Sequence, residues 1–371
     1  MLPIAFLAIK SYNTSKLDIF FKSKEMFQMK KIISLILLNV LICGFAGCQS
    51  QAEQSSPSEN NSVTETSPAR SSGTKTTASS EVEYDIEYTY DEATETLTFS
   101  GTGELGFDKY SESYTKLCEI EKPTHVVISP GITSIQDYAL DYDIEGNTGK
   151  ERNHFNRIQT VEIADTVEKI GDSAFDYCTG IKAITIPDSV TEIGEFAFSD
   201  CSSLESVTIS KNAKIIGSMA FNGCKSLKTI EFPSTLDCIE ESVCAQCESL
   251  SRVVIQSGTT KIKAGAFSSC TGLNQVELGQ TLTTIGEHAF IACKNLSEIS
   301  FPESLKEISE NAFADCDKLT TVTIPKSVEV IGEKAFGKDI AHAKDFKICG
   351  YKNSAAEEYA KNNQVEFVAL D

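Results

Sequence analysis

The chain has 371 residues, 41% of them apolar, with 33 basic against 53 acidic side chains and a formal charge of −20. Such a length and apolar fraction allow a large core. The acidic excess disfavours nucleic acid and anionic membrane surfaces as ligands, since both carry the same sign; its plainer meaning is solubility.

Residues 1–47 read as an N-terminal extension and a secretion signal. Lys30-Lys31 precedes an apolar run, Ile32 to Ile42, and then the small-residue segment Gly44-Phe-Ala-Gly-Cys48. The run falls short of the about 20 residues of a membrane span. Ile19-Phe-Phe-Lys-Ser-Lys-Glu25 is an odd prelude to such a signal, so translation is expected to start at Met26 or Met29. Phe45-Ala46-Gly47-Cys48 resembles a bacterial lipobox, which implies that Cys48 is lipidated after cleavage and ties the chain to a membrane. Phe45 stands where that pattern usually has Leu, and Gly44-Phe45-Ala46 would instead serve an ordinary signal peptidase. Without residues 1–47 the charge becomes −24.

Residues 48–80 form the next segment. Gln49 to Ser80 is rich in Ser, Thr, Glu and Asn and almost free of large apolar residues. It cannot bury enough surface to fold and is expected to be a tether. Its reach is about 30 Å as a flexible coil and about 110 Å if pulled straight. O-glycosylation of this stretch is an alternative reading.

Residues 81–122 are expected to be a hairpin-rich β cap. Residues 123–348 then repeat with a period of 23. The isoleucine column is Ile170, Ile193, Ile216, Ile239, Ile262, Ile285, Ile308 and Ile331. An aromatic column runs Phe175, Phe198, Phe221, Phe267, Phe290, Phe313 and Phe336, with Cys244 in its one vacant place. A thiol column runs Cys178, Cys201, Cys224, Cys247, Cys270, Cys293 and Cys316. A unit of this size cannot bury its own apolar face and must stack on its neighbours. Ile184-Thr-Ile186, Val207-Thr-Ile209 and their equivalents alternate like half-buried strands. One parallel strand per coil is therefore expected, about ten in all, in a stack about 45 Å long. Phe and Cys three apart are expected to share a helical turn on the return side. Between Ile135 and Ile170 the period is exceeded by 12 residues, which places an inserted polar loop within Asp141 to His154. Such loops often lie on a binding face, although a tolerated surface insertion explains this one as well. Val243-Cys244 replaces Ala-Phe, a swap whose volume change partly cancels.

These residues resemble the leucine-rich repeat of BspA-like bacterial surface proteins. The matching pattern is Ile-Gly-x-x-Ala-Phe-x-x-Cys-x-x-Leu-x-x-Val-x-Ile-Pro, as in Ile170 to Pro187 with Ile181 and Ile184 in the Leu and Val places. The likeness covers about Glu81 to Asp371. It implies an α/β-type repeat solenoid capped at both ends, with Tyr88 to Gly103 in the first cap and residues 349–371 as the second. It also implies a non-enzymatic cell-surface role in adhesion to host extracellular-matrix proteins such as fibronectin and fibrinogen, or to other cells. A structural scaffold of the cell envelope with no host ligand is the alternative.

The residues leave little for catalysis. There are four histidines, and no nucleophile elbow, zinc-protease pair or phosphate loop; no cofactor or metal is expected. Seven thiols in strict register cannot all pair and are expected to be buried free fillers beside Phe. Cys244-Ala-Gln-Cys247 looks like a redox motif but falls out of the two columns by coincidence. Cys238 with Cys244 is the one local pair to consider. Recognition is expected on the outward strand face, through Thr185, Thr208, Glu231, Arg252, Gln275, Glu277 and Glu298, where stacked strands make a flat polar surface. That face carries no aromatic anchor, so a merely solvated sheet fits it equally.

Overall fold

The computed structural model describes residues 85–107, 117, 120, 123–140, 155–337 and 346–370. All belong to one compact unit, residues 81–371. The signal, Cys48, the tether, Cys118 and the Asp141–His154 loop lie outside the described residues.

The fold starts from a hairpin. β1 (Asp85–Asp91) pairs antiparallel with β2 (Thr96–Leu105). Asp91 holds the turn by accepting the Ala93 N–H at 2.9 Å, and that bond keeps its carboxyl below its ordinary range. β2 is long enough to start two parallel ladders. Thr96 to Phe99 pair with β3 (His125–Ile128), and Gly103 to Leu105 pair with β4 (Ile132–Ile135). A register shift between Gly103 and Glu104 separates the two halves.

Each later coil then contributes to both ladders. The coils bring β5 (Thr160–Ile163) with β6 (Lys169–Ile170), β7 (Ala183–Thr185) with β8 (Glu192–Ile193), and β9 (Ser206–Thr208) with β10 (Ile215–Ile216). They continue with β11 (Thr229–Phe232) and β12 (Cys238–Ile239), β13 (Arg252–Ile255) and β14 (Lys261–Ile262), and β15 (Gln275–Glu277) and β16 (Thr284–Ile285). β17 (Glu307–Ile308), β18 (Thr321–Thr323) and β19 (Val330–Ile331) follow. Ladder one holds the longer strands and ladder two the two-residue ones that end on the isoleucine column. The expectation of one strand per coil is thus corrected to two. A two-residue strand has no room to alternate, so its pattern is silent in the sequence. Ile135 pairs with Ile170, so the 12 extra residues leave the ladder register intact.

The return side also differs from expectation. The described part of 155–337 contains no α-helix there but a chain of tight turns. Phe196 and Asp200 are left-handed, with φ of 57° and 53°. A left-handed residue at every fourth place re-aims the peptides, so that alternate N–H groups point along the stack. The N–H groups of Phe196, Phe198 and Asp200 donate to the carbonyls of Ser218, Ala220 and Asn222 in the next coil, at 3.0, 2.8 and 2.7 Å. A helix would have turned those donors back on its own coil. The array is therefore a parallel β-solenoid, and its α/β description does not hold.

Both ladders have one weak point. In ladder one the expected strand Ile299-Ser-Phe301 keeps a single bridge, Ser300 to Thr323. Ladder two breaks between β10 and β12. There Glu240 occupies a place held in the preceding coils by Gly171, Gly194 and Gly217. A Cβ on Gly217 would meet the Glu195 nitrogen at 2.5 Å, so the coils before Glu240 approach too closely for a side chain at this place. Lys263 follows Glu240 in the same place and bonds it at 2.7 Å, and the pairing resumes at β12–β14.

The core lies between the ladders and the return turns. The Phe column is fully buried from Phe175 to Phe290. Phe175 and Phe198 stack with centroids 5.1 Å apart, and Phe267 and Phe290 at 5.2 Å. After β19 the chain forms β20 (Lys347–Tyr351), α1 (Ala355–Asn362) and β21 (Glu366–Leu370). α1 buries Ala356, Tyr359 and Ala360. The Tyr359 ring meets Phe336 edge-on, and its hydroxyl accepts the Phe336 N–H at 3.3 Å. β21 pairs parallel with β20 and is the last strand of ladder one among the described residues.

Candidate binding face

Pleating decides which residues of ladder one reach solvent. In β7, Ile184 is buried while Ala183 and Thr185 are exposed, and the same alternation recurs in β11 and β18. Parallel register then stacks equivalent residues into columns about 4.8 Å apart. Thr185, Thr208, Glu231, Gln275, Glu277 and Glu298 are exposed, and Arg252 is half-buried.

The structure divides these seven residues into two groups. Arg252 reaches diagonally to the next coil, donating from Nη2 to Glu277 Oε1 at 2.7 Å and from Nε at 3.2 Å. Glu231 accepts from Gln256 Nε2 at 2.6 Å. Lys228 pairs with Glu205 beside them. The charged middle of the face is thus already engaged with itself. Thr185, Thr208, Gln275 and Glu298 form no side-chain hydrogen bond or ion pair with the described residues. Gln256 escaped the sequence reading because it follows the inward strand residue, in a column of Pro187, Ser210, Pro233 and Gly279 that looks like loop.

Ala183 is the smallest residue on the face. It leaves a shallow open depression of about 340 Å³, lined by Val161, Glu162, Ile163, Ala183, Ile184, Thr185 and Pro187. His125 lies at the start of the same face, its Nδ1 2.6 Å from the Thr160 hydroxyl.

The thiol column has a role beyond filling space. Each Sγ donates to a carbonyl of the preceding coil, Cys201 to Phe175 at 3.3 Å, Cys224 to Phe198 at 3.2 Å and Cys316 to Phe290 at 3.2 Å. Burial drives the thiols of Cys201, Cys224, Cys247, Cys270 and Cys293 well above their ordinary value and Cys316 up to about 12. Cys244 is also buried and raised. Cys238 and Cys244 do not pair. Cys238 donates to Glu240 Oε1 at 3.0 Å, and burial together with that bond raises its thiol to about 11. Among the described residues no group of three His, Cys, Asp or Glu side chains is arranged to hold a metal.

Repeated coils and two parallel ladders define a leucine-rich repeat solenoid. The chain belongs to the BspA family of such repeats. The model of the BspA type leucine rich repeat region (6 copies) matches residues 152–274 and 239–364. No curated protein matches the chain. Among solved structures it is similar to a T. pallidum leucine rich repeat protein, at 19% identity over 58% of this chain and 89% of that one, with a TM-score of 0.41. It is also similar to a leucine rich cell surface protein from Faecalibacterium prausnitzii, at 19% identity over 78% and 94%, with a TM-score of 0.38. The pneumococcal vaccine antigen PcpA matches at 17% identity over 78% and 98%, with a TM-score of 0.41.

Proposed function

We propose that this chain is a non-enzymatic bacterial surface protein, lipid-anchored at Cys48, that holds another macromolecule on the outer face of ladder one. The partner is a protein, of the extracellular matrix or of another cell surface. The observation that carries the reading is the exposed, stacked face itself, in which Thr185 with Thr208 and Gln275 with Glu298 present unengaged polar groups on either side of the charged middle. Such a face suits an extended partner that is read by many small contacts. Arg252 and Glu277 fix each other, Glu231 is held by Gln256, and together they set the local charge. The anchor rests on the signal-like sequence before Cys48, and the adhesive role on the family.

The test is binding of residues 81–371 to immobilised fibronectin, fibrinogen and whole host cells. It is run beside a variant with Thr185, Thr208, Glu231, Arg252, Gln275, Glu277 and Glu298 changed to Ala. Saturable binding lost in the variant supports recognition through the face. Binding that survives moves the site elsewhere on the chain. No binding to any of the three overturns adhesion to these ligands and favours the envelope scaffold.

A further inference from the structure

We propose that β21 is a self-association edge, on which a second copy of this chain adds its own β21 antiparallel about a two-fold axis. Ladder one has two outer strands, β1 and β21, and they are built differently. The β1 end is defended by charge. Residues 85–107 carry Asp85, Glu87, Asp91, Glu92, Glu95 and Glu104 and no basic residue. Acids on an edge strand repel an incoming chain of the same kind.

The β21 end has no such defence. Residues 346–371 carry three Lys (347, 352, 361) against four acids (Glu357, Glu358, Glu366 and Asp371), so this end is close to neutral in a chain of charge −20. It is the place where two acidic copies can approach. The strand itself, Glu366-Phe-Val-Ala-Leu370, holds no Pro, no Lys and no bulge. Its one charge is already matched, since Lys347 Nζ lies 3.0 Å from Glu366 Oε1. Val368 is 38% exposed, one of few large apolar side chains so placed among the described residues. On the inner side Phe367 is only half-buried and Ala369 is exposed, so the last layer of core is incompletely covered. Among the described residues no strand follows β21.

The geometry of an antiparallel pair suits this sequence. With Val368 on the axis, Val368 faces Val368, Phe367 faces Ala369 and Glu366 faces Leu370. No acid then meets an acid, and the edge N–H and C=O groups find partners. The interface is small, so association should be weak. Distant like charges oppose it, so added salt should tighten it by screening them.

The experiment is sedimentation of residues 81–371, which contain the whole described core, under reducing conditions from about 1 µM to about 1 mM. The expected result is a monomer–dimer equilibrium that shifts to dimer in high salt. Val368→Lys should remove the dimer with an unchanged melting temperature. Ile215→Lys, at an exposed isoleucine of β10 several coils away, should leave it intact. In a chain with Cys238 and Cys349 changed to Ser, a short bis-maleimide should join two Val368→Cys chains faster than two chains that keep Val368. A monomer at every concentration, a dimer that survives Val368→Lys, or species growing beyond two chains would each overturn the proposal.

Discussion

Phe232 sets its ring edge-on to Phe267, with centroids 6.1 Å apart and planes at 71°. This contact explains how the array tolerates Cys244. The stack of aromatic rings runs through Phe221 and resumes at Phe267, and Cys244 leaves a ring-sized gap between them. In the same coil Phe232 stands where neighbouring coils have Ile186, Ile209 or Ile255, and it is fully buried. One aromatic ring has moved across the core from the turn side to the strand side. Phe232→Ile should therefore open a cavity and cost about 1–3 kcal/mol. Cys244→Phe alone should overpack the coil and cost a similar amount. The double variant restores the consensus at both places and should recover most of the loss. Denaturant melts of the four proteins measure the coupling, and additive losses would count against compensation.

The compensation shows how far the sequence could be read. The Ile, Phe and Cys columns announced the period, the inward strand residues and the buried thiols. They also announced that Val243-Cys244 breaks the pattern, but the partner of that break lay 12 residues upstream in a different column. The left-handed turns were less legible. Their φ-positive places hold Ser173, Phe196, Met219, Ser242, His288, Asn311 and Lys334 in one column and Tyr177, Asp200, Gln246, Ser269, Ala292 and Asp315 in the other, and one glycine in each, Gly265 and Gly223, signals the conformation. Cross-coil hydrogen bonding overrides local preference at the rest. On the face, Arg252 and Glu277 were both expected in the site, yet they lie in different columns. Their diagonal pairing depends on side-chain reach rather than on periodicity.

The thiol ladder makes the fold sensitive to alkali. An unfolded Cys ionises near 9.0, whereas the buried thiols of Cys201, Cys224, Cys247, Cys270 and Cys293 hold their protons well above that, and Cys316 to about 12. Above the unfolded value the folded state binds more protons, so stability falls as pH rises. Each thiol contributes a slope of about 1.4 kcal/mol per pH unit. With six such groups the protein should lose stability steeply above about pH 9 while remaining level between about pH 6 and 8. Cys201→Ser keeps a donor for the Phe175 carbonyl and removes one titrating group. It should flatten the alkaline limb by one thiol's share. Unfolding curves across pH 7 to about 11 test this, and an unchanged slope would refute the assignment.

Thiol accessibility provides a separate check. The thiolate is the reactive form, and the ladder thiols are both buried and protonated. An alkylating reagent should leave Cys201, Cys224, Cys247, Cys270, Cys293 and Cys316 unmodified in the folded protein. Cys238 is half-buried, and its rate should climb as pH approaches about 11. Mass spectrometry of labelled peptides reads both results. Rapid labelling of the ladder near neutral pH would mean that the coils open.

Cys48 carries the anchoring proposal, and a single substitution addresses it. In a bacterium that processes the native signal, the wild-type chain should partition into detergent and incorporate labelled fatty acid. Cys48→Ser should abolish both and release the chain from the membrane fraction. Retention of label in the variant would place the lipid elsewhere, and absence of label in the wild type would favour cleavage at Gly44-Phe45-Ala46 by an ordinary signal peptidase.

The face variants can be interpreted only if they leave the fold alone, and the geometry says that they do. Arg252 and Glu277 form an ion pair whose side chains remain 41% and 60% exposed. Pairs in such surroundings are worth about 0–1 kcal/mol. Arg252→Ala and Glu277→Ala should each lower stability by less than about 1 kcal/mol, and the double variant by little more than either alone. Thr208 is exposed and makes no side-chain bond among the described residues, so Thr208→Ala should cost only a small loss of strand preference. Any fall in partner binding by these variants then reports on the face rather than on unfolding. A melting shift corresponding to several kcal/mol would instead show that the Arg252–Glu277 pair clamps β13 to β15, and the charged middle of the face would become part of the framework rather than of the site.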